Sequence, residues 1–333
     1  MDKDKIKLLS LIDRFAGKKI AVWGDLILDE YLLGRTRRIS REAPVLILSY
    51  QSGEFSLGGA GNSVLNLKAL GASPLPIGVV GEDEPGHRIV DILRSHQIPT
   101  RYLTISRKHQ TPIKMRILAG EENTRKQQIL RIDRESSVPA SGPLGQKLRA
   151  NLEAARKLCA ALLVSDYNYM AVQKEVYAAV IPSFKRAGLP VTLDSRFRLL
   201  QFAGMTAATP NEPEVEEALK IELDDSLPRL RWAGRRLLQK LRSPALLITR
   251  GSRGMALFEK GKAPYLVPIQ GPSDIVDVTG AGDTVISVFT LALAAGGTFR
   301  EATRLANYAG GIVVMKKGTA TLTPAELREA ISA

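Results

Sequence analysis

Short apolar runs of strand length alternate with helix-length amphipathic stretches along most of this chain, and that alternation constrains the fold more than any other feature. Residues 19–24 (Lys-Ile-Ala-Val-Trp-Gly) read as a first buried strand, 60–70 as a helix, 75–80 as a strand and 84–96 as a helix. The pattern resumes after a polar stretch, with a strand at 161–165, a helix at 172–186 and a strand at 191–194. Next come a short strand at 207–209, a helix from Glu212, a basic helix and a strand at 245–249. Helices of this length between strands imply crossover connections. The expectation is a three-layer α/β fold, with a largely parallel sheet covered by helices on both faces. A chain of 333 residues suffices for one large domain, expected to span 1–333.

Two stretches, 31–50 and 101–133, break the rhythm. They carry strand-like alternation without a crossover helix, as in Ile113-Lys114-Met115-Arg116-Ile117 and Gln128-Ile129-Leu130-Arg131-Ile132. Such strands suit a small antiparallel lid. A lid that closes over a substrate excludes water, which a group-transfer enzyme needs.

Composition narrows the setting. Hydrophobic residues make up 44% and charged residues 24%, as in a globular protein. The one cysteine, Cys159, follows a helical pattern at 152–158 and reads as a small buried hydrophobe, which excludes a disulfide framework or thiolate zinc site. The start, Met1-Asp2-Lys3-Asp4-Lys5, is too charged for a secretory signal. The longest apolar run, 285–295, is a core helix and falls short of the about 18 residues that read as a span. A reducing cytoplasm is expected. The net charge of +13 admits nucleic acid, an anionic membrane surface or anionic small molecules as partners. Its densest run is Arg229, Arg231, Arg235, Arg236, Lys240 and Arg242, interleaved with Leu230, Leu237, Leu238 and Leu241, and reads as a solvated amphipathic helix face. With no zinc-finger spacing and 5% aromatics, neither a nucleic-acid nor a membrane partner is expected.

The chemistry concentrates in Asp277-Val278-Thr279-Gly280-Ala281-Gly282-Asp283-Thr284, a small-residue loop that ends in a carboxylate and runs into the 285–295 helix. Gly280 and Gly282 let backbone approach a ligand, and amides opening a helix favour anions. Asp283 sits where a general base can take the proton of an attacking hydroxyl. The plainer reading is an ordinary turn with Asp283 as a first-turn charge. No Walker A sequence and no Gly-x-Gly-x-x-Gly after a strand is present, which argues against a P-loop kinase and against dinucleotide binding.

The eight-residue string resembles the signature loop of the ribokinase-like (PfkB) sugar kinases. Leu57-Gly58-Gly59-Ala60-Gly61-Asn62 resembles the N-terminal signature of the same family, in the same order and at a matching separation. Gly24-Asp25 through Asp29-Glu30-Tyr31, the segments 38–45 and 127–133, and Ser165-Asp166-Tyr167 are similar to the D-glycero-β-D-manno-heptose 7-phosphate kinases within it. In many bacteria that kinase is fused to an adenylyltransferase. No His-x-Gly-His motif occurs here, so only the kinase half is expected.

The resemblance implies a ribokinase-like three-layer α/β/α fold with a β lid, an ATP-dependent transfer to a sugar hydroxyl, and magnesium. It assigns catalysis to Asp283 with the amides of Gly280, Ala281 and Gly282. Asp25, Asp29, Gly58, Gly59 and Asn62 become substrate residues, joined by Lys114, Arg116 and Arg131 of the lid. A lid bearing these cations, with Arg38 and Arg41 from its first stretch, favours a substrate that already carries phosphate; the alternative is edge strands protected by charge. Asn211, Thr249, Arg250, Gly251, Gly254 and Asn307 fall on the nucleotide side, where Arg250 or Arg253 meets phosphate oxygens. Asn211 and Glu214 match the Asn-x-x-Glu of the family, and an amide plus a carboxylate at this spacing suits hydrated magnesium. A helix start with acidic first-turn residues is the alternative. Whether a monovalent cation binds near Asp277 and Thr279 is left open. A homodimer through the lid is expected.

The sequence departs from the heptose kinases at two places. Asn168-Tyr169-Met170 stands where Gly-Lys-Gly is usual, and Ser195-Arg196 where Pro-Lys is usual. The expected reaction is transfer to C1 of heptose 7-phosphate; the alternatives are another sugar or sugar phosphate and, from a different class, a nucleic-acid-binding regulator reusing the fold.

Overall fold

A computed structural model describes residues 3–120, 126–135, 142–224, 226–270 and 276–333. In chain order the elements are α1 (Lys3–Asp13), β1 (Lys19–Gly24), β2 (Leu26–Ile39), β3 (Leu46–Gly59), α2 (Ala60–Ala69), β4 (Ser73–Gly81), α3 (Glu84–Ser95), β5 (Leu103–Ser106), β6 (Ile113–Gly120), β7 (Gln127–Arg134), α4 (Pro143–Arg156) and β8 (Ala161–Asp166). There follow α5 (Lys174–Arg186), β9 (Val191–Ser195), β10 (Ala207–Ala208), α6 (Glu212–Leu219), α7 (Leu227–Leu241), β11 (Ala245–Thr249), β12 (Met255–Glu259), β13 (Tyr265–Val267), α8 (Ala281–Ala294), α9 (Phe299–Val313) and α10 (Pro324–Ser332).

Nine strands form the central sheet in the order β13-β12-β11-β10-β9-β8-β1-β4-β5. The pairs from β11 through β5 are parallel, and β12 and β13 add an antiparallel edge. Because successive strand side chains alternate, each buried strand feeds two cores. Ile20 and Val22 pack with helices α1, α2, α3, α8, α9 and α10 on one face. Ala21 and Trp23 pack with α4, α5, α6 and α7 on the other. The two-faced architecture read from the alternation is what the chain adopts. Helix α8 is buried almost all round, from Asp283 to Ala292, as expected of a helix apolar on every side. That burial makes it a fixed platform for the residues at its first turn. The basic helix α7 buries Leu230, Leu237, Leu238 and Leu241 and turns its arginines outward, as a solvated face would.

The stretches expected to build a lid form a second sheet in the order β3-β2-β6-β7. Two antiparallel hairpins, β2/β3 and β6/β7, meet along a parallel β2/β6 contact. Its strands extend beyond the expected 31–50, and in the second stretch only 113–134 takes part; 121–125 lies outside the described residues. Residues 103–106 instead pair in parallel with β4, because they complete the β4–α3–β5 crossover. Cys159 lies just past α4, buried, and burial pushes its thiol up to about 11, so it is inert at neutral pH. No helix among the described residues is long and apolar enough to cross a membrane.

Candidate active site

The chain leaves β1 toward α2 on one face of the sheet and leaves β8 toward α5 on the other, so the switch point lies between these neighbours. Ligands of open α/β sheets collect outside the carboxyl ends of such strands. There Asp25 accepts hydrogen bonds from three alternate amides, Tyr167 at 2.8 Å, Tyr169 at 3.1 Å and Ala171 at 2.9 Å. Trp23 Nε1 donates to the Ala171 carbonyl at 3.0 Å and holds the same loop. Turning every second amide toward one carboxylate forces the residues between into left-handed backbone, with φ 66° at Asn168 and 74° at Met170. Asparagine tolerates this region, whereas methionine there carries roughly 1–2 kcal/mol of strain. The conformation accounts for the glycines usual at these two positions. Burial, then the nearby Asp166, raises Asp25 to about 6. Asp25, expected among the substrate residues, therefore anchors a loop, since both its oxygens face that loop's amides.

Asp283 sits in the first turn of α8, buried. Its two oxygens have different partners. Asn62 Nδ2 donates to Oδ2 at 3.0 Å, and the Tyr167 hydroxyl donates to Oδ1 at 3.1 Å. Asn66 Nδ2 donates in turn to Asn62 Oδ1 at 3.1 Å, which fixes the orientation of the Asn62 amide. Asn62, expected among the substrate residues, is fully buried and holds Asp283 through this bond. Burial pushes Asp283 up to about 7, against the lowering effect of Asn62, Tyr167 and Lys114. A carboxylate poised there can accept a proton near neutral pH. Gly280, at φ 76°, admits no side chain, because a Cβ would lie 2.4 Å from Asn62 Nδ2. The Ala281 amide donates to the Val278 carbonyl at 3.2 Å. Gly282, where an added Cβ would meet nothing within 4 Å, lines the cleft behind this turn.

On the lid side, Asp29 accepts from Arg116 Nη1 at 2.6 Å, and both are buried. Gly58 makes room for this pair, since a Cβ would stand 2.6 Å from Asp29 Oδ2. A Cβ on Gly59, at φ 57°, would stand 2.7 Å from the Asp25 carbonyl. Lys114 and Arg116 share one face of β6 and turn inward; Lys114 Nζ lies 4.7 Å from the Tyr167 ring centroid, a cation–π contact. Burial lowers the Lys114 pKa. Arg131 is held by Asp133 at 2.5 Å. Arg38 lies nine strand residues beyond Asp29, about 30 Å along β2, and with Arg41 is exposed. Neither can line this site within one chain. The expected cationic lid is thus reduced to Lys114, with Arg116 and Arg131 each facing a carboxylate.

Behind the α8 turn, a cleft of about 750 Å³ is lined by Asn211, Thr249, Arg250, Gly251, Gly254 and Asn307, together with Ala281 and Gly282. All six residues expected on the nucleotide side gather here. Arg250 and Arg253 both bond Glu212, at 3.0 and 2.6 Å, so neither guanidinium is held toward a phosphate in the ligand-free chain. Asn307 Nδ2 donates to the Pro268 carbonyl at 2.7 Å. Asn211 and Glu214 cap the start of α6 reciprocally: Glu214 accepts from the Asn211 amide and Asn211 from the Glu214 amide, both at 2.9 Å. The helix-start alternative is therefore realised.

Asp194 and Arg196, at the end of β9, were not among the expected site residues. Burial, then Glu214, Asp283 and Asp166, lifts Asp194 well above the usual carboxylate range. Burial lifts Glu214 to about 7. These buried carboxyl groups, both also facing Arg196, form a set of oxygen donors of the kind a divalent cation takes. Among the described residues, however, no three His, Cys, Asp or Glu are placed to ligate one directly, so water and phosphate would complete its shell. The signal that could have found Asp194 and Tyr167 is position, since each sits at or just past the carboxyl end of a parallel strand. Asp166 beside Tyr167 is tied up by Arg198 and by Ser195 Oγ at 2.6 Å.

The fold has relatives among solved structures. Ribokinase of Arabidopsis thaliana, complexed with ribose and ATP, superposes with TM-score 0.71 at 20% identity, covering 96% of this chain and 99% of that one. Phosphofructokinase-2 from Escherichia coli, in complex with potassium, gives 0.77 at 18% identity, covering 95% and 98%. In sequence, the chain is 36% identical over 333 residues to the bifunctional protein HldE of Pelobacter propionicus and 38% identical over 333 residues to that of Trichlorobacter lovleyi. All of this chain is covered, and it spans 66% of the length of each of these relatives. The profile of the pfkB family carbohydrate kinases matches residues 18–326, and the chain belongs to that family.

Proposed function

We propose that this sugar kinase transfers the γ-phosphoryl group of ATP to the C1 hydroxyl of D-glycero-β-D-manno-heptose 7-phosphate. The observation that carries the reading is Asp283, buried at the α8 turn between the nucleotide-sized cleft and the lid, with its carboxyl raised to about 7. The acceptor hydroxyl gives its proton to Asp283 as its oxygen attacks the γ-phosphorus. The Gly282 amide and the positive end of α8 stabilise charge on the phosphoryl group. Asn62 holds the base in register, and Lys114 faces the acceptor from the lid. Magnesium, when bound, would neutralise charge on the nucleotide phosphates, with Asp194 and Glu214 holding its water shell. If so, Glu214→Gln raises the magnesium concentration for half-maximal rate; an unchanged titration leaves Glu214 as a helix cap alone. Asp277 accepts the Thr279 and Gly318 amides, each at 2.9 Å, and so ties its loop to the segment after α9.

ATP consumption across a panel of sugars and sugar phosphates tests the acceptor. A charge-assisted contact to a substrate phosphate is worth roughly 1.5–3 kcal/mol, or about one to two decades in kcat/KM. Heptose 7-phosphate should exceed the free heptose by that factor, and Lys114→Met should shrink the gap. Faster turnover of ribose or fructose than of any sugar phosphate would sink the heptose assignment. One observation favours that second reading: Tyr169 and Met170 replace the usual lysine and glycine, and Arg116 and Arg131 already face carboxylates.

The lid also carries exposed Leu46, Ile129, Leu130 and Ile132. A second copy covering this apolar face would give a homodimer through the lid. Sedimentation should find a dimer that Ile129→Lys with Ile132→Lys dissociates; a monomeric parent chain removes this part of the reading.

A further inference from the structure

The base is occupied before any sugar arrives. A group that gives its proton to Asp283 must place its oxygen about 2.6–3.2 Å from a carboxylate oxygen. The Tyr167 hydroxyl is already there, 3.1 Å from Oδ1. The other oxygen is closed by Asn62, which is fully buried and locked by Asn66. Only Oδ1 can therefore be offered to an acceptor, and Tyr167 stands over it. Its support is deliberate in structure: the loop hangs from Asp25 and Trp23, and Lys114 of the lid lies over the ring.

We propose that Tyr167 is a placeholder for the acceptor hydroxyl, which keeps water from Asp283 in the sugar-free enzyme and yields Oδ1 when a sugar enters beneath the lid. The proposal rests on Asp283 being the base. In its absence the wasteful reaction is hydrolysis. A water oxygen bonds the γ-phosphorus, the bond to the β,γ-bridging oxygen breaks with its electron pair leaving on ADP, and the water's proton passes to Asp283, giving ADP and orthophosphate. Tyr167 hinders this step because its hydroxyl already donates to Oδ1, the oxygen that a water would have to use. It is a poor substitute nucleophile itself, since burial, then the charge of Asp283, raises its pKa well above the ordinary tyrosine value. Lys114 links the device to the lid, so a sugar that displaces Tyr167 also moves the lid's inward cation.

Tyr167→Phe deletes the hydroxyl and leaves room for one water against a polar oxygen, a site water occupies readily. With ATP and magnesium alone, the variant should hydrolyse ATP at least about tenfold faster than the parent, equivalent to about 1.4 kcal/mol of barrier. Sugar phosphorylation should persist. The ratio of sugar-free hydrolysis to sugar phosphorylation does not depend on the folded fraction, so partial unfolding cannot imitate the effect. The acid limb of the rate against pH should also move upward, because the ionised base loses a donor. An unchanged ratio together with an unmoved acid limb overturns the placeholder and leaves the base assignment standing. A fully active Asp283→Asn variant would instead remove the base itself.

Discussion

Asp283→Asn lowers kcat by about 10²- to 10⁴-fold, the usual contribution of a positioned base, while ATP still binds. Asparagine keeps the shape and accepts one of the two hydrogen bonds now made by Tyr167 and Asn62, but it cannot take a proton. The pH dependence follows from the same residue. With its pKa raised from 3.8 to about 7, Asp283 is ionised only above neutrality, so the parent enzyme loses kcat/KM as pH falls through about 7. The stability effect has the opposite sense. A carboxyl whose folded pKa is raised contributes stability that is complete below 3.8 and is lost as pH rises through about 7. At pH 8 the parent therefore holds an unfavourable buried charge that the variant lacks. The variant's melting temperature at pH 8 should be no lower than the parent's, the donor–donor approach of its new amide to Asn62 offsetting part of the gain. Steady-state kinetics, ATP titration and melting curves at pH 6 and 8 check these outcomes. Near-normal turnover would exclude Asp283 from the chemistry.

Asp25→Ala destabilises the fold by about 3–5 kcal/mol. Three amides lose their common acceptor, and the left-handed conformations at Asn168 and Met170 lose the interaction that holds them. The loop should relax toward ordinary backbone and carry Tyr167 away from Asp283, so sugar-free ATP hydrolysis should rise as it does in Tyr167→Phe. Asp25→Asn, with one acceptor oxygen in place of two, should lie between. Measurements at pH 8 keep Asp25 ionised, since its pKa is about 6. Urea midpoints indistinguishable from the parent's would show that the loop is held by other contacts, Trp23 first among them.

Much of the fold was legible because strand and helix periodicities are local. Ile20 and Val22 alternate with Ala21 and Trp23 in the sequence as they do between the two cores. The glycine loop was legible for a related reason: only small residues permit a helix to start against Asn62 and open onto a cleft. The boundaries failed where pairing partners are distant. Residues 103–106 looked like lid strand, but their hydrogen bonds go to β4 across a helix. At the site, the sequence listed the right neighbourhood without its wiring. Asp25 and Asp29 are both aspartates just after the first strand, yet one bonds three loop amides and the other an arginine 87 residues away. Arg250, Arg131 and Arg116 looked free for phosphate until the fold set Glu212, Asp133 and Asp29 beside them.

The chain by itself determined its layers and its family and pointed to Asp283 as the proposed base, because these rest on residue type and short-range spacing. Tertiary structure alone decided which arginines are paired with carboxylates and which partner each oxygen of Asp283 holds. Those properties depend on hydrogen bonds and burial between segments up to about two hundred residues apart, such as Asn62 and Asp283, and no local pattern encodes them.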